Sequence, residues 1–196
     1  VTDSGAVILA GGAGRRLGGV DKPSLVVHGR TLLDTALDAC SGCSDIVVVG
    51  ARRTTGREVR WTVEEPSGGG PLAGLAAGLR ELPRSVEVVT VLAADLPSVT
   101  HKAVEALQRA LAEAEADAVL LTDVNGRQQP LTAVYDRLAL EAALQAVGDP
   151  SGHAFRTLLP HMRVATLAHP SAAEDIDTPA DLARWSIDSR ERKDDE

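Results

Sequence analysis

Apolar β-branched runs alternate along the chain with Ala- and Leu-rich stretches of helical period. The runs Ile46-Val47-Val48-Val49 and Val88-Val89-Thr90-Val91-Leu92 lack polar alternation, the pattern of strands buried on both faces. Strands are predicted over residues 6–10, 45–50, 59–63, 86–93, 118–122 and 164–168, and helices near 31–41, 71–82, 100–115, 136–147 and 178–187. Strands that alternate with helices in this way predict an α/β fold of three layers, a mostly parallel sheet covered by helices on both faces. Residues 1–185 are read as one such domain and the charged residues 186–196 as a disordered tail.

Composition narrows the class. At 196 residues and 44% hydrophobic, the chain can bury a full core, which excludes global disorder. Twenty Lys and Arg against 28 Asp and Glu leave a net charge of -8, the wrong sign for a nucleic-acid surface. Aromatics make up 2% of residues, too few for base-stacking platforms. No apolar run reaches the length of a membrane span, and the first residues lack a basic-then-apolar leader, so a cytoplasmic location is expected. A small-molecule enzyme is the favoured class.

The first predicted strand runs directly into Leu9-Ala10-Gly11-Gly12-Ala13-Gly14-Arg15-Arg16-Leu17-Gly18-Gly19-Val20-Asp21-Lys22. Glycines at the carboxyl end of a strand let backbone amides approach a phosphate closely, and the two arginines and the lysine add fixed positive charge. In an acidic chain this cluster points to a triphosphate site. A P-loop requires Lys directly after its last glycine, where this chain has Val20. The dinucleotide fingerprint fails because Gly18 comes one residue late, and because the second strand ends in Val49-Gly50-Ala51 with no acidic residue for a ribose.

Asp95 follows the apolar run Val-Thr-Val-Leu-Ala-Ala and precedes Leu96-Pro97. A carboxylate at the carboxyl end of a strand stands where α/β sheets open onto ligands. Mg²⁺ prefers one or two carboxylates plus phosphate oxygens, so Asp95 is the first candidate metal ligand. The competing role, a helix N-cap, suits Ser98 or Thr100 better.

These segments, taken in order, resemble the molybdenum cofactor guanylyltransferase (MobA) family of the NTP-transferase superfamily. The signature loop is joined by Gly70-Pro71-Leu72-Ala73-Gly74, by Ala94-Asp95-Leu96-Pro97, and by Gln129-Pro130-Leu131 with Ala133 and Tyr135. The last match is Asp175-Ile176-Asp177-Thr178-Pro179-Ala180-Asp181-Leu182. The resemblance spans residues 6 to 185 and implies a Rossmann-like, GT-A-like nucleotidyltransferase fold. It also implies transfer of GMP from GTP to a molybdopterin-type pterin phosphate, with Mg²⁺ as cofactor and pyrophosphate released. By that resemblance Arg16, Lys22 and Asp95 are catalytic, and Asp95 and Asp177 hold the metal. Leu9, Ala10, Gly11, Gly12, Lys22, Gly50, Glu65, Pro71, Leu72, Gly74 and Asp95 then line the nucleotide. Glu65 falls on an acidic position used near guanine, where a carboxylate can accept from N1–H and the 2-amino group. A molybdoenzyme or its chaperone would be the protein partner that receives product.

Two positions depart from the family pattern: Gly50 stands where Asn is common, and Glu65 where Asp is. Both lie on the base and ribose side, which leaves open a molybdopterin cytidylyltransferase, another transferase of small phosphorylated acceptors, or a non-catalytic nucleotide-binding module. Asp177 is also well placed, with Thr178, to start a helix before Pro179. Cys40-Ser41-Gly42-Cys43 has CxxC spacing, but at the end of a predicted helix, opposite in polarity to a redox motif, and no further cysteines complete a zinc site. It reads as a helix-to-strand turn. The five histidines show no HExxH spacing, and no G-x-S-x-G occurs.

Overall fold

The computed structural model describes residues 3–11, 19–176, 178, 180–181 and 183–185. Arg16, Gly12 and Asp177, three of the expected site residues, lie outside them, as do residues 186–196.

Apolar runs without polar alternation form the centre of the sheet, as their pattern requires. β1 (Ser4–Leu9) is flanked by β4 (Asp45–Val49) on one side and β6 (Val88–Ala93) on the other, both parallel to it. β5 (Arg60–Thr62) extends the edge beyond β4. On the far side, β8 (Gln128–Asp136) inserts antiparallel between β6 and β7 (Ala118–Thr122), and β9 (Val164–Ala168) closes that edge parallel to β7. Among the described residues the order is therefore β5-β4-β1-β6-β8-β7-β9, with β8 the one reversed strand.

Strand side chains alternate between two helix layers. Val7, Val47, Val49 and Val91 pack with α2 (Pro71–Glu81), and Tyr135 and Leu120 with α4 (Arg137–Val147). Ala6, Ile8, Val48 and Leu92 face α1 (Leu32–Ala39) and α3 (His101–Glu113). The helices start where the chain provides caps: Thr31, Thr100 and Asp136 each accept a hydrogen bond from a first-turn N–H of α1, α3 and α4. A small hairpin, β2 (Val26–Val27) with β3 (Arg30–Thr31), turns through His28 and Gly29, both at positive φ. No helix among the described residues is long and apolar enough to cross a membrane.

The predicted three-layer α/β sheet is present, and its six predicted strands each match an observed one to within two residues at either end. Two elements escaped the pattern. The β2–β3 hairpin has two residues a strand, too short for a period to register. β8 begins Gln128-Gln129-Pro130, where polar residues and a proline mask it. Its register jumps between Leu120 and Leu121, which pair with Ala133 and Gln129, so a bulge accommodates Pro130. The Tyr135 hydroxyl donates to the Pro130 carbonyl at 2.7 Å, and burial pushes that phenol's pKa up.

The CxxC segment is a structural turn. Cys40 caps α1, and the Cys43 N–H donates to the Cys40 carbonyl at 2.9 Å; both thiols are buried.

Candidate active site

The loops after β1 and β6 lead toward helices on one face of the sheet, whereas the loop after β5 leads to α2 on the other. Such a divergence opens a crevice above the carboxyl ends of the strands at β1 and β4. Leu9, Ala10, Gly11, Lys22, Gly50 and Asp95 gather along this edge, with Pro71, Leu72 and Gly74 in the first turns of the helix beside it, whereas Glu65 lines a separate cavity.

Backbone hydrogen bonds fix the floor of the crevice. The Ala10 N–H donates to the Val49 carbonyl at 2.8 Å, and the Ala94 N–H to the Leu9 carbonyl at 3.0 Å. The Ala10 N–H is thus engaged by the sheet, and its carbonyl lies against Gly50. Gly11 is the first exposed residue after the strand. Gly50 sits at φ +143°, and a Cβ there would lie 2.8 Å from the Ala10 carbonyl oxygen. The close approach of the β4 and β1 loops therefore demands glycine in this chain.

Lys22 opens a 3-10 turn, Lys22–Ser24, whose Pro23 is buried. Its ammonium lies 3.5 Å from Asp95 Oδ2 across the mouth of β1 and β6, with side-chain exposures of 17% and 24%. Asp95 does not cap α3; Thr100 does, at 3.3 Å from the Ala103 N–H. The Asp95 carbonyl accepts from the Ile176 N–H at 3.1 Å, so the C-terminal segment is drawn to the same point. Beyond it, Thr178 and Asp181 make reciprocal capping bonds at 2.8 and 3.2 Å. Thr178 therefore carries the helix-start role weighed for Asp177.

α2 begins beside β4 and β1. Gly70, at φ +89°, precedes Pro71 at the first helical position, and no side chain caps the helix, so its first-turn N–H groups form a positive end. Leu72 is wholly inside the core, and a Cβ on Gly74 would touch Leu9 and Val49. These two expected nucleotide contacts thus seat the helix, and any contact they make is through backbone. Glu65 is exposed and lines a cavity of about 580 Å³ between α2 and α4, together with Ala73, Arg80, Glu141 and Ser151. The Gly152 N–H donates to the Gly69 carbonyl at 2.8 Å, which places residues 151–153 against the loop before α2.

A further ion pair was not anticipated. Arg53, in the loop after β4, donates from Nε and Nη2 to the two carboxylate oxygens of Asp21 at 2.8 and 2.5 Å, and from Nη1 to the Ala51 carbonyl at 2.7 Å. The guanidinium holds the Asp21 carboxyl down to about 2. The available signal was the charged Arg52-Arg53 pair immediately after a strand end.

Among the described residues no group of three or more His, Cys, Asp or Glu could hold a metal. One half-buried carboxylate at a strand end nevertheless suits Mg²⁺, whose other positions go to phosphate oxygens and water.

Similarity to known proteins follows the same residues. The sequence profile of the MobA-like NTP transferase domain matches residues 6–166. A molybdenum cofactor guanylyltransferase of Acidiphilium cryptum is 50% identical over 80 residues, covering 38% of this chain and 41% of that protein. One of Rhodopseudomonas palustris is 33% identical over 152 residues, covering 72% of this chain and 71% of that protein. The crystal structure of molybdopterin-guanine dinucleotide biosynthesis protein A from Archaeoglobus fulgidus superposes with a TM-score of 0.70 at 25% identity, covering 95% of this chain and 99% of that one.

Proposed function

The chain belongs to the MobA-like NTP transferase family and is a nucleotidyltransferase; on that premise we propose that it transfers GMP from GTP to the phosphate of a molybdopterin-type pterin in molybdenum cofactor biosynthesis. The observation that carries this reading is the meeting of Lys22 and Asp95, 73 positions apart, over the glycine-lined end of β1. A cation, a carboxylate and free backbone at one sheet edge form the set that phosphoryl transfer requires, since charge stabilisation and positioning are nearly all of its catalysis.

An oxygen of the acceptor phosphate attacks the α-phosphorus of GTP in line. The new P–O bond forms as the bond to the β-phosphate oxygen breaks, and pyrophosphate leaves with the electron pair. A phosphate monoester is already anionic near neutral pH, so no general base is needed. The task of the protein is to hold two anions together. Lys22 sets its charge beside the phosphates, and Arg16 adds a second. The positive end of α2 favours the same anion. Ala10 and Gly11 approach the nucleotide through backbone, Gly50 leaves room for it, and Glu65 reads the base edge. Asp95 is the residue that would hold Mg²⁺, with Asp177 as a second carboxylate; when bound, the ion supplies charge neutralisation on the phosphate oxygens.

The test is pyrophosphate release with Mg²⁺ and molybdopterin, comparing GTP, CTP and ATP. Release selective for GTP is the expected result. Selectivity for CTP would move the chain to the cytidylyl branch that Gly50 and Glu65 left open, and no release with any nucleotide would mean that molybdopterin is not the acceptor.

A further inference from the structure

We infer that Arg53 is a positioning residue for the transfer proposed above, an inference that rests on that reading: by clasping Asp21 it fixes Lys22 at the mouth of the crevice and neutralises the carboxylate beside it.

Asp21 immediately precedes Lys22, and a carboxylate one residue from the lysine that faces phosphates is an electrostatic liability. Left alone, it would compete with the phosphates for the ammonium and repel the incoming triphosphate. Arg53 removes both effects. Its planar fork meets the Asp21 carboxylate with two nitrogens at 2.8 and 2.5 Å, a geometry that a lysine cannot reproduce. The Ser24 hydroxyl donates to Asp21 as well, at 2.5 Å, so both oxygens are engaged.

The clasp is anchored at its other end. The third guanidinium nitrogen donates to the Ala51 carbonyl, one residue after Gly50. Gly50 presses on the Ala10 backbone, and its N–H donates to the Thr62 carbonyl of β5 at 2.9 Å. Arg53 therefore joins the two walls of the crevice, the β4 loop and the end of the loop after β1. Its side chain is 15% exposed, whereas that of Asp21 is 50% exposed. A largely covered arginine that holds a surface carboxylate is ordered by its loop, and it passes that order to the 3-10 turn bearing Lys22. Pro23, buried directly after Lys22, limits the alternatives open to the turn.

The experiment is a double-mutant cycle between Arg53→Ala and Lys22→Ala. It is read both in affinity for GTP with Mg²⁺, by calorimetric titration, and in kcat/KM for pyrophosphate release with molybdopterin. Alone, Arg53→Ala is expected to cost about tenfold in each. Added to Lys22→Ala it is expected to cost clearly less, about two- to threefold, because only the repulsion by the bare Asp21 carboxylate remains once Lys22 is gone. Arg53→Lys restores part of the loss, and Asp21→Asn placed on Arg53→Ala restores part as well, since it removes the unneutralised charge. Equal losses in both backgrounds, or no rescue by Asp21→Asn, would overturn the assignment. Should Arg53→Ala fail to fold, the Arg53→Lys and Asp21→Asn cycle carries the same comparison. A wild-type chain that binds GTP without releasing pyrophosphate overturns transfer to molybdopterin, while the cycle in affinity still decides the clasp. Wild-type chain that binds no GTP overturns both.

Discussion

The Lys22 ammonium stands 3.5 Å from the Asp95 carboxylate, joining the turn after β1 to the end of β6. Both groups are partly covered, and each is a group that a nucleotide with its metal would engage. Asp95→Asn should therefore separate two effects. Turnover with Mg²⁺ is expected to fall by a factor of about 100 or more, because Asp95 is the proposed holder of the ion that would neutralise charge on the phosphates. GTP affinity measured in chelator should hold or rise, because the substitution removes a negative charge near the phosphates and releases Lys22 to them. Metal-free affinity that collapsed along with turnover would contradict this. Lys22→Ala should abolish most turnover while lowering the melting temperature far less than a core truncation would, since it removes one long ion pair of 3.5 Å and no packed apolar group.

Gly78 tests how closely α2 lies on the sheet. A Cβ there would come 2.5 Å from Val7 Cγ1 and 2.9 Å from Val49 Cγ2, both on buried strand residues. Alanine improves helix propensity by about 1 kcal/mol. Overpacking against two rigid valines costs about 1–3 kcal/mol, and the strands cannot yield separately. Gly78→Ala should be destabilising in urea titration. Gly74→Ala meets the flexible end of Leu9 at 3.3 Å and Val49 Cγ1 at an ordinary contact distance of 3.6 Å, and should be near neutral or stabilising. The reverse order would show that α2 stands further off than described.

Acid unfolding should register the clasp on Asp21. Its folded pKa is lowered from 3.8 to about 2, chiefly by the hydrogen bonds from Arg53. A depressed carboxylate contributes stability that is fully present above its unfolded pKa and is lost as pH falls through the folded one. The stability difference between wild type and Asp21→Asn should then be constant above pH 4 and shrink between pH 4 and pH 2. Salt weakens it, because Asp21 is half exposed. A difference that stays flat down to pH 2 would mean that the carboxylate is not held.

Much of this was legible in the chain because parallel strands buried on both faces write themselves as unbroken apolar runs, and because strand-end chemistry stands next to them. Asp95 could be named from its place at the end of β6, and Lys22 from the glycine- and arginine-rich loop after β1 and the family resemblance that loop carries. Their meeting could not, since it depends on β1 and β6 being neighbours, a matter of strand order across the whole sheet. The same holds for Arg53 and Asp21, 32 positions apart and brought together by the pairing of β1 with β4. β8 was hidden because a proline and two glutamines open it, and only the bulge opposite Leu120 and Leu121 makes them compatible with a strand. Leu72 and Gly74 were expected, by the family resemblance, to line the nucleotide, yet their burial shows that part of that motif serves helix seating.

The Cys40–Cys43 turn was readable from its polarity, and its thiols offer a check on burial. A hydrogen bond from Cys40 lowers the Cys43 thiol to about 7, while the Cys40 thiol is pushed up. An exposed thiol of that acidity would alkylate quickly at pH 8. Cys43 is 6% exposed and Cys40 is fully buried, so reaction has to wait for local opening. Iodoacetamide should leave the native chain nearly unlabelled over minutes and modify both thiols in urea, by mass spectrometry. Rapid labelling of native Cys43 would refute the closed turn.

The reversed strand has a consequence for the order of assembly. β6 has β1 on one side and β8 on the other, and β7 leaves the ribosome before β8 does. A nascent chain that ends after Asp95 carries both Lys22 and its carboxylate partner, but one edge of β6 stays unpaired. That edge is capped when residues 128–136 slide between two strands already made. An unpaired strand of valines is a template for intermolecular pairing, and its closure is a long-range event. Truncations between residues 95 and 128 should aggregate, even though Lys22 and Asp95 are both present.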